Sequence, residues 1–133
     1  MSKTILFVDD DIDDRDLMAE IVQKINPSVN AVFAQNGLEA IEYLNTKKEM
    51  AQLPCLIVLD LNMPFLDGKE TYKKIKEELQ LQAVPVIIFT SSLNPNDKVL
   101  FTNLGVEFYT KPDDFGYYNT LISRMVNVCN GEN

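Results

Sequence analysis

The chain alternates between short apolar segments and longer segments whose apolar residues recur every three or four positions. The short segments are rich in β-branched or large apolar residues, as strands are. They are Thr4–Val8, Val29–Ala34, Cys55–Leu59, Val84–Phe89 and Val106–Thr110. The longer segments have the period of amphipathic helices. Strict alternation of the two kinds predicts an α/β fold, a parallel sheet with helices on both faces.

Five helical stripes are predicted from this periodicity. They comprise Leu17, Ile21 and Ile25 with Met18 and Val22; Leu38, Ile41 and Leu44; Tyr72, Ile75 and Leu79; Val99, Leu100 and Leu104; and Phe115, Tyr118, Ile122, Met125 and Cys129. The first, third and fourth strands are continuously apolar, which is typical of strands buried on both faces. The second contains Asn30 and the fifth Glu107, which favours edge positions. We therefore expect a doubly wound, five-stranded, flavodoxin-like sheet with the order 2-1-3-4-5 and five helices.

Composition excludes several classes of function. The 133 residues suffice for one domain. A net charge of −8 disfavours binding to nucleic acid through its phosphates. The absence of His excludes Ser-His-Asp triads, His-ligated zinc and a phosphohistidine on this chain. Cys55 and Cys129 are far apart and are expected to be reduced thiols. With no apolar run of membrane-spanning length and no signal peptide, we expect a cytoplasmic protein without a membrane partner.

Reactive side chains follow the predicted strands at their carboxyl ends, where ligands bind in open α/β sheets. The residues that follow are Asp9, Asp10 and Asp11 after the first strand, Gln35, Asn36 and Gly37 after the second, and Asp60, Leu61 and Asn62 after the third. The fourth strand ends in Thr90, Ser91 and Ser92, and the fifth is followed by Lys111 and Pro112. Because the first and third strands are predicted neighbours, their carboxylates should converge in one crevice, with Thr90 and Lys111 beside them.

Such a crevice predicts a cation and a phosphoryl group. Crowded carboxylates repel one another, and a hard divalent cation such as Mg²⁺ relieves the repulsion. The Lys111 ammonium would bring a positive charge close to one phosphoryl oxygen, and the Thr90 hydroxyl would donate a hydrogen bond to another. Asp60 then remains as a candidate carboxylate nucleophile.

The acidic run after the first strand also has simpler interpretations. We assign Asp13, Asp14 and Asp16 to capping and dipole compensation at the start of the first helix. Asp9, Asp11, Asp13 and Glu20 stand at positions 1, 3, 5 and 12 of an EF-hand loop. However, Asp14 occupies the position that requires Gly, and a strand precedes the run, so an EF-hand is disfavoured.

Five pieces of the sequence together resemble the response regulator receiver domain of two-component signalling. They are I-L-F-V-D-D-D at 5–11, N-G-L-E-A at 36–40, V-L-D-L-N-M-P-F-L-D-G at 58–68, I-I-F-T-S-S at 87–92 and Y-T-K-P at 109–112. The resemblance covers the whole chain and implies a CheY-like fold. It also implies that residues 1–133 are a single receiver domain without an output domain.

The resemblance also implies roles for individual residues. Asp60 would be the phosphoacceptor, and Lys111 would bind a phosphoryl oxygen. Asp9, Asp10, Asp60 and the backbone carbonyl of Asn62 would hold Mg²⁺. Thr90 and Phe108 would be the switch hydroxyl and the switch aromatic.

The implied function is signalling, with no catalysis beyond the chain's own phosphorylation and dephosphorylation. The donor would be a sensor histidine kinase or a histidine phosphotransfer protein. Phosphorylation would re-form the face of the fourth helix, fifth strand and fifth helix for a downstream protein partner or a homodimer. The segments S-S-L-N-P-N-D-K and G-V-E-F-Y-T-K-P resemble single-domain regulators associated with phytochromes.

Two other functions remain open from the residues alone. A Mg²⁺-dependent phosphohydrolase of the haloacid dehalogenase type also uses an Asp nucleophile, but Asp60-Leu61-Asn62 lacks the second acid of its D-x-D motif. A flavodoxin-like cofactor binder would need a phosphate-binding loop after the first strand, and this loop is anionic. Turnover of a generic phosphate ester would identify the phosphohydrolase, and a yellow colour would identify the flavin binder.

Overall fold

The computed structural model describes residues 3–131, in which strands and helices alternate throughout. The strands are Lys3–Val8 (β1), Val29–Ala34 (β2), Leu56–Leu59 (β3), Val86–Thr90 (β4) and Glu107–Thr110 (β5). The helices are Ile12–Ile25 (α1), Gly37–Glu49 (α2), Gly68–Glu77 (α3), Pro95–Asn103 (α4) and Phe115–Cys129 (α5). All five predicted strands are confirmed, with ends that shift by at most two residues.

The sheet is parallel and has the order β2-β1-β3-β4-β5. This confirms the flavodoxin-like, CheY-like fold and places the two less apolar strands at the edges. Val8, at the end of β1, is level with Ala34 of β2 and Leu59 of β3. The register therefore brings the residues that follow β1 and β3 to the same edge of the sheet.

Each face of the sheet carries its own hydrophobic core. One core lies under α1 and α5 and includes Phe89, which meets Tyr118 edge to face at 5.6 Å between ring centroids. The other lies under α2, α3 and α4 and includes Leu44 and Ile75. Each fully buried side chain of this size contributes about 1.5–3 kcal/mol relative to an exposed one. The strand ends are thus held by packing on both sides.

The predicted apolar stripe of α4 is wrong. Val99, Leu100 and Leu104 are 57%, 43% and 55% exposed, whereas Phe101 is buried. Asp97, one turn before Phe101, is buried on the same face. In a helix of nine residues, three consecutive apolar side chains leave the period ambiguous, and the largest ring occupies the core.

Smaller departures affect the other helices. Leu38 and Phe115, in the first turns of α2 and α5, are exposed. Leu79 is exposed because α3 ends at Glu77 and leaves it outside the helix. Ile25, the last residue of α1, is 38% exposed. None of the helices within residues 3–131 has both the length and the apolarity needed to cross a membrane.

Cys55 and Cys129 form a disulfide, which corrects the expectation of two reduced thiols. Their Cα atoms are 4.9 Å apart, although 74 positions separate them in the sequence. The bond links the last residue of α5 to the residue before β3, at the edge of the sheet opposite the strand carboxyl ends. Sequence spacing does not reveal the disulfide, because the two residues come together only when α5 packs antiparallel to the strands and ends beside the start of β3.

Candidate functional site

The predicted carboxylate crevice is formed by the ends of β1 and β3. The backbone N–H of Asp9 donates to the carbonyl of Ala34 at 2.9 Å, and that of Asp60 donates to the carbonyl of Val8 at 3.0 Å. Both acids are buried, at 3% and 5% exposure, whereas Asp10 is exposed. One carboxylate oxygen from each of the three acids lies within 4.8 Å of the others. The register of the strands, rather than any local motif, brings them together.

Thr90 and Lys111 each contact a different carboxylate oxygen of Asp60. The Thr90 hydroxyl donates to Oδ1 of Asp60 at 2.7 Å, and Nζ of Lys111 lies 3.1 Å from Oδ2. The backbone N–H of Lys111 donates to the Thr90 carbonyl at 2.7 Å, which fixes the two residues side by side. The N–H of Leu61 also donates to Oδ1, at 2.7 Å. A carboxylate held in this way has a defined orientation for attack on an electrophile.

Lys111 also binds a carboxylate that the sequence analysis assigned to the helix start. Its Nζ lies 2.7 Å from Oδ2 of Asp9 and 2.8 Å from Oδ2 of Asp14. With Asp60, these carboxylates match the three N–H donors of an ammonium group. Asp14 lies in the first turn of α1, as predicted for an acid that compensates the helix dipole, and it is in addition a side-chain partner of Lys111. The cap of α1 is Asp11, whose side chain accepts from the N–H groups of Asp13 and Asp14.

Burial perturbs the ionisation of the site. It raises the pKa of Asp9 to about 6, although the neighbouring Lys111 opposes the shift. Burial alone would lower the pKa of Lys111, but the carboxylates of Asp60, Asp14 and Asp9 outweigh it and raise that pKa above its usual value. Lys111 therefore stays protonated at neutral pH.

The donor set fits a hard divalent cation. Asp9, Asp10 and Asp60 offer only oxygen ligands, which are the ligands that Mg²⁺, Ca²⁺ and Mn²⁺ prefer. Two of the acids are buried and the third is exposed, so the cluster opens to solvent at Asp10. A cation here would offset the repulsion that the buried carboxylates experience.

Gly68 is a site residue that the sequence analysis did not single out, although it lies within a quoted motif. Its N–H donates to the carbonyl of Leu61 at 3.0 Å. A Cβ at this position would lie 2.2 Å from the Asp60 carbonyl oxygen and 2.6 Å from Cα of Leu61. Only glycine therefore lets α3 begin directly against the backbone that carries Asp60.

The two remaining predicted site residues are Asn62 and Phe108. Asn62 is exposed, and its N–H donates to Oδ1 of Asp60 at 3.4 Å. Phe108 is half-buried on β5, and its ring centroid is 6.2 Å from that of Phe101 on α4. The structure thus brings the acids, Thr90 and Lys111 together, while Phe108 joins β5 to α4.

Comparison with known proteins identifies relatives for both sequence and fold. The family described as "Response regulator receiver domain" matches residues 5–116. The chain is 33% identical over 109 residues to "Response regulator Rcp1" of Synechocystis sp., covering 80% of this chain and 74% of that protein. Two longer relatives are matched over only 15% and 42% of their own length.

Two solved structures have the same architecture. The phosphorylated cyanobacterial phytochrome response regulator RcpA superposes with a TM-score of 0.84 and 29% identity, over 96% of this chain and 93% of that one. The Mn(2+)-bound form of response regulator Rcp1 superposes with a TM-score of 0.80 and 29% identity, over 94% and 92% of the two chains. These relatives confirm the resemblance to receiver domains, including the phytochrome-associated kind.

Proposed function

The chain belongs to the response regulator receiver domain family, and from that premise we propose that Asp60 accepts a phosphoryl group from phosphohistidine. The observation that carries the proposal is the placement of Asp60, whose two oxygens face the Thr90 hydroxyl and the Lys111 ammonium. The donor would be a sensor histidine kinase or a histidine phosphotransfer protein. The similarity to phytochrome response regulators favours a phytochrome-type sensor as the source of the signal.

The transfer replaces one bond to phosphorus with another. An Asp60 carboxylate oxygen forms an O–P bond, the N–P bond of the phosphohistidine breaks, and its electron pair returns to the imidazole nitrogen. Lys111 keeps its proton and attracts a phosphoryl oxygen, because its ammonium already faces the acceptor carboxylate. Thr90 directs its hydroxyl to the same carboxylate and can donate to another phosphoryl oxygen.

We assign the cation to Asp9, Asp10 and Asp60, with the backbone carbonyl of Asn62 as a further ligand. The cation would be Mg²⁺, and when bound it would neutralise charge on the transferred group. The cluster of three carboxylate oxygens supports the assignment. So does the similarity to a response regulator solved in its Mn²⁺-bound form.

We further propose that the signal leaves through the face formed by α4, β5 and α5, which we call the output face. Apolar surface is exposed there by Val99 and Leu100 of α4, by Leu104 directly after α4, and by Phe115 and Tyr117 of α5. Thr90 already contacts Asp60 in this structure, so phosphorylation would strengthen an existing orientation rather than draw the side chain in from elsewhere. Phe108 would convey the change to α4 through Phe101. The partner is a downstream protein or a second copy of the chain.

Intact-mass spectrometry after incubation with acetyl phosphate and Mg²⁺ tests the assignment of Asp60. Wild type should gain one phosphoryl group and Asp60→Asn none, because the amide cannot attack phosphorus. Asp113→Asn removes an exposed acid after β5 and serves as the control; it should be labelled like wild type. Equal labelling of Asp60→Asn would assign the acceptor to another residue. Continuous release of phosphate from a generic ester would instead indicate a phosphohydrolase.

A further inference from the structure

A continuous chain of polar contacts leads from the protein surface to Asp60 through the loop between β4 and α4. The Nζ atom of Lys69 lies 2.6 Å from Oδ1 of Asp97. The other oxygen of Asp97 accepts from the Ser92 hydroxyl at 2.8 Å. The N–H of Ser92 donates to the Thr90 hydroxyl oxygen at 3.1 Å, and that hydroxyl donates to Asp60 at 2.7 Å.

Asp97 is the unusual member of this chain because it is a buried acid outside the carboxylate crevice. It is 5% exposed, and in the described part of the protein Oδ1 has no polar partner besides the Lys69 ammonium. The hydrogen bond from Lys69 lowers the pKa of Asp97, which keeps the acid charged. A buried carboxylate of this kind is costly unless it is paired. Capping does not account for it, because the side chain of Asn94 already caps α4.

The Lys69–Asp97 ion pair joins α3 and α4, the helices that follow β3 and β4. Lys69 lies in the first turn of α3, after β3 and Asp60, and Asp97 lies in the first turn of α4, after β4 and Thr90. Both residues line a cavity of about 400 Å³ that Asn62 also lines. The pair therefore borders the site on the side of Asn62.

Ser92 links the ion pair to the switch hydroxyl. Its side chain is fixed by Asp97, and its backbone N–H occupies one acceptor position of the Thr90 hydroxyl. A hydroxyl has one hydrogen to donate. With the Ser92 N–H on one side, the hydrogen of Thr90 is directed to Asp60. Displacing Ser92 would release that orientation.

We propose that Lys69 and Asp97 are positioning residues that hold the loop at residues 91–94 and keep Thr90 directed at Asp60. The ion pair thereby sets the rate at which Asp60 gains its phosphoryl group and the time for which it keeps it. The inference rests on the proposed function of Asp60. It adds to that function a control element on two helices, outside the groups that touch the phosphoryl group.

A double-mutant cycle tests the inference. Lys69→Met keeps the aliphatic stem and removes the charge, Asp97→Asn keeps the shape, and the double variant removes both charges. Lys73→Met, an exposed position on the same helix, is the matched control. For each variant, intact-mass spectrometry with acetyl phosphate and Mg²⁺ measures the labelling rate and the lifetime of the label. Hydrogen exchange of peptides covering residues 91–94 measures the loop.

Each single variant should change the labelling rate or the label lifetime by roughly three- to tenfold, and the double variant should change it no further, since coupled pairs are not additive. Exchange at residues 91–94 should rise in all three variants, while Lys73→Met should match wild type. The inference fails if the variants melt at lower temperature but are labelled and exchange like wild type, or if the two single effects add. If wild type itself takes no label, the proposed function fails, and exchange at residues 91–94 still decides whether the pair holds the loop.

Discussion

Lys111 and Asp14 lie 97 positions apart, yet Nζ of Lys111 is 2.8 Å from Oδ2 of Asp14. This contact ties the end of β5 to the first turn of α1. Asp14 also lets the ammonium bind a third carboxylate besides Asp9 and Asp60. The ammonium group of Lys111 is thereby held by one carboxylate in α1 and by two that directly follow β1 and β3.

Asp14→Asn should therefore lower the free energy of unfolding by about 1 kcal/mol, because a charged hydrogen bond to Lys111 becomes a neutral one. Asp16→Asn, at an exposed position of the same helix, should change it by no more than about 0.5 kcal/mol. Urea denaturation of the metal-free proteins measures both values. Equal effects of the two substitutions would show that Asp14 acts only through the helix dipole.

Millimolar Mg²⁺ should raise the melting temperature, since a ligand that binds only the folded state stabilises it by mass action. Asp10→Asn should abolish most of that rise because it removes one of the three clustered carboxylates. Asp113→Asn, an exposed acid outside the cluster, should keep the full rise. Differential scanning calorimetry with and without the metal is the measurement. A wild-type melting curve that does not respond to Mg²⁺ would contradict the site.

Stability of the metal-free protein should depend on pH through Asp9. Its pKa is raised to about 6 by burial, above the value of an unfolded Asp. Between these values the folded state binds more protons than the unfolded state, so this group's contribution to stability falls as pH rises. Relative to Asp9→Asn, wild type should lose about 1 kcal/mol between pH 5 and pH 7. Urea denaturation in EDTA at pH 5 and pH 7 measures the free energy of unfolding of both proteins. If wild type and Asp9→Asn differ in that free energy by the same amount at the two pH values, the assignment is refuted.

Much of this architecture follows from short-range patterns. The apolar runs that end in Val8 and Leu59 predict buried strands, and parallel strands bring their carboxyl ends to one edge of the sheet. The proximity of Asp9 and Asp60 could therefore be predicted from the sequence. The edge positions of β2 and β5 were also predictable, because Asn30 and Glu107 interrupt their apolar runs.

The parts that escaped prediction depend on how helices lie across the sheet. In the sequence, nothing distinguishes Asp14 from other acids in a first helical turn, because its partner Lys111 is 97 positions away. Asp97 and Phe101 occupy the inner face of α4, but the apolar residues around Phe101 allow more than one choice of face. These contacts join residues far apart in the sequence, and periodicity reports only neighbours on one element.

Reducing the Cys55–Cys129 disulfide should lower the free energy of unfolding. Chain-entropy arguments for a loop of 74 residues give a loss of about 4 kcal/mol. Urea denaturation with and without a phosphine reductant measures it, and the double variant Cys55→Ala/Cys129→Ala should not respond to the reductant. Two titratable thiols in native protein purified without reductant would show that the bond does not form. That result would favour the reducing cytoplasm expected from the sequence.

Truncating Phe108 to Ala should separate phosphorylation from output. The Phe108 ring packs near Phe101 of α4. A phenyl ring has no hydrogen-bonding group to offer to Asp60, Thr90 or Lys111, so labelling by acetyl phosphate should continue. Loss of the ring leaves a space between β5 and α4, and the output face should no longer follow the state of Asp60.

Sedimentation velocity with and without beryllofluoride, a phosphoryl mimic, measures this coupling. In wild type the mimic should strengthen self-association or the binding of a downstream partner. In Phe108→Ala that gain should fall by about tenfold, or about 1.4 kcal/mol. Tyr43→Ala, which truncates a half-buried aromatic on α2, should retain the wild-type response. If wild type does not respond to the mimic, or if Phe108→Ala can no longer be phosphorylated, the proposed division between site and output face is wrong.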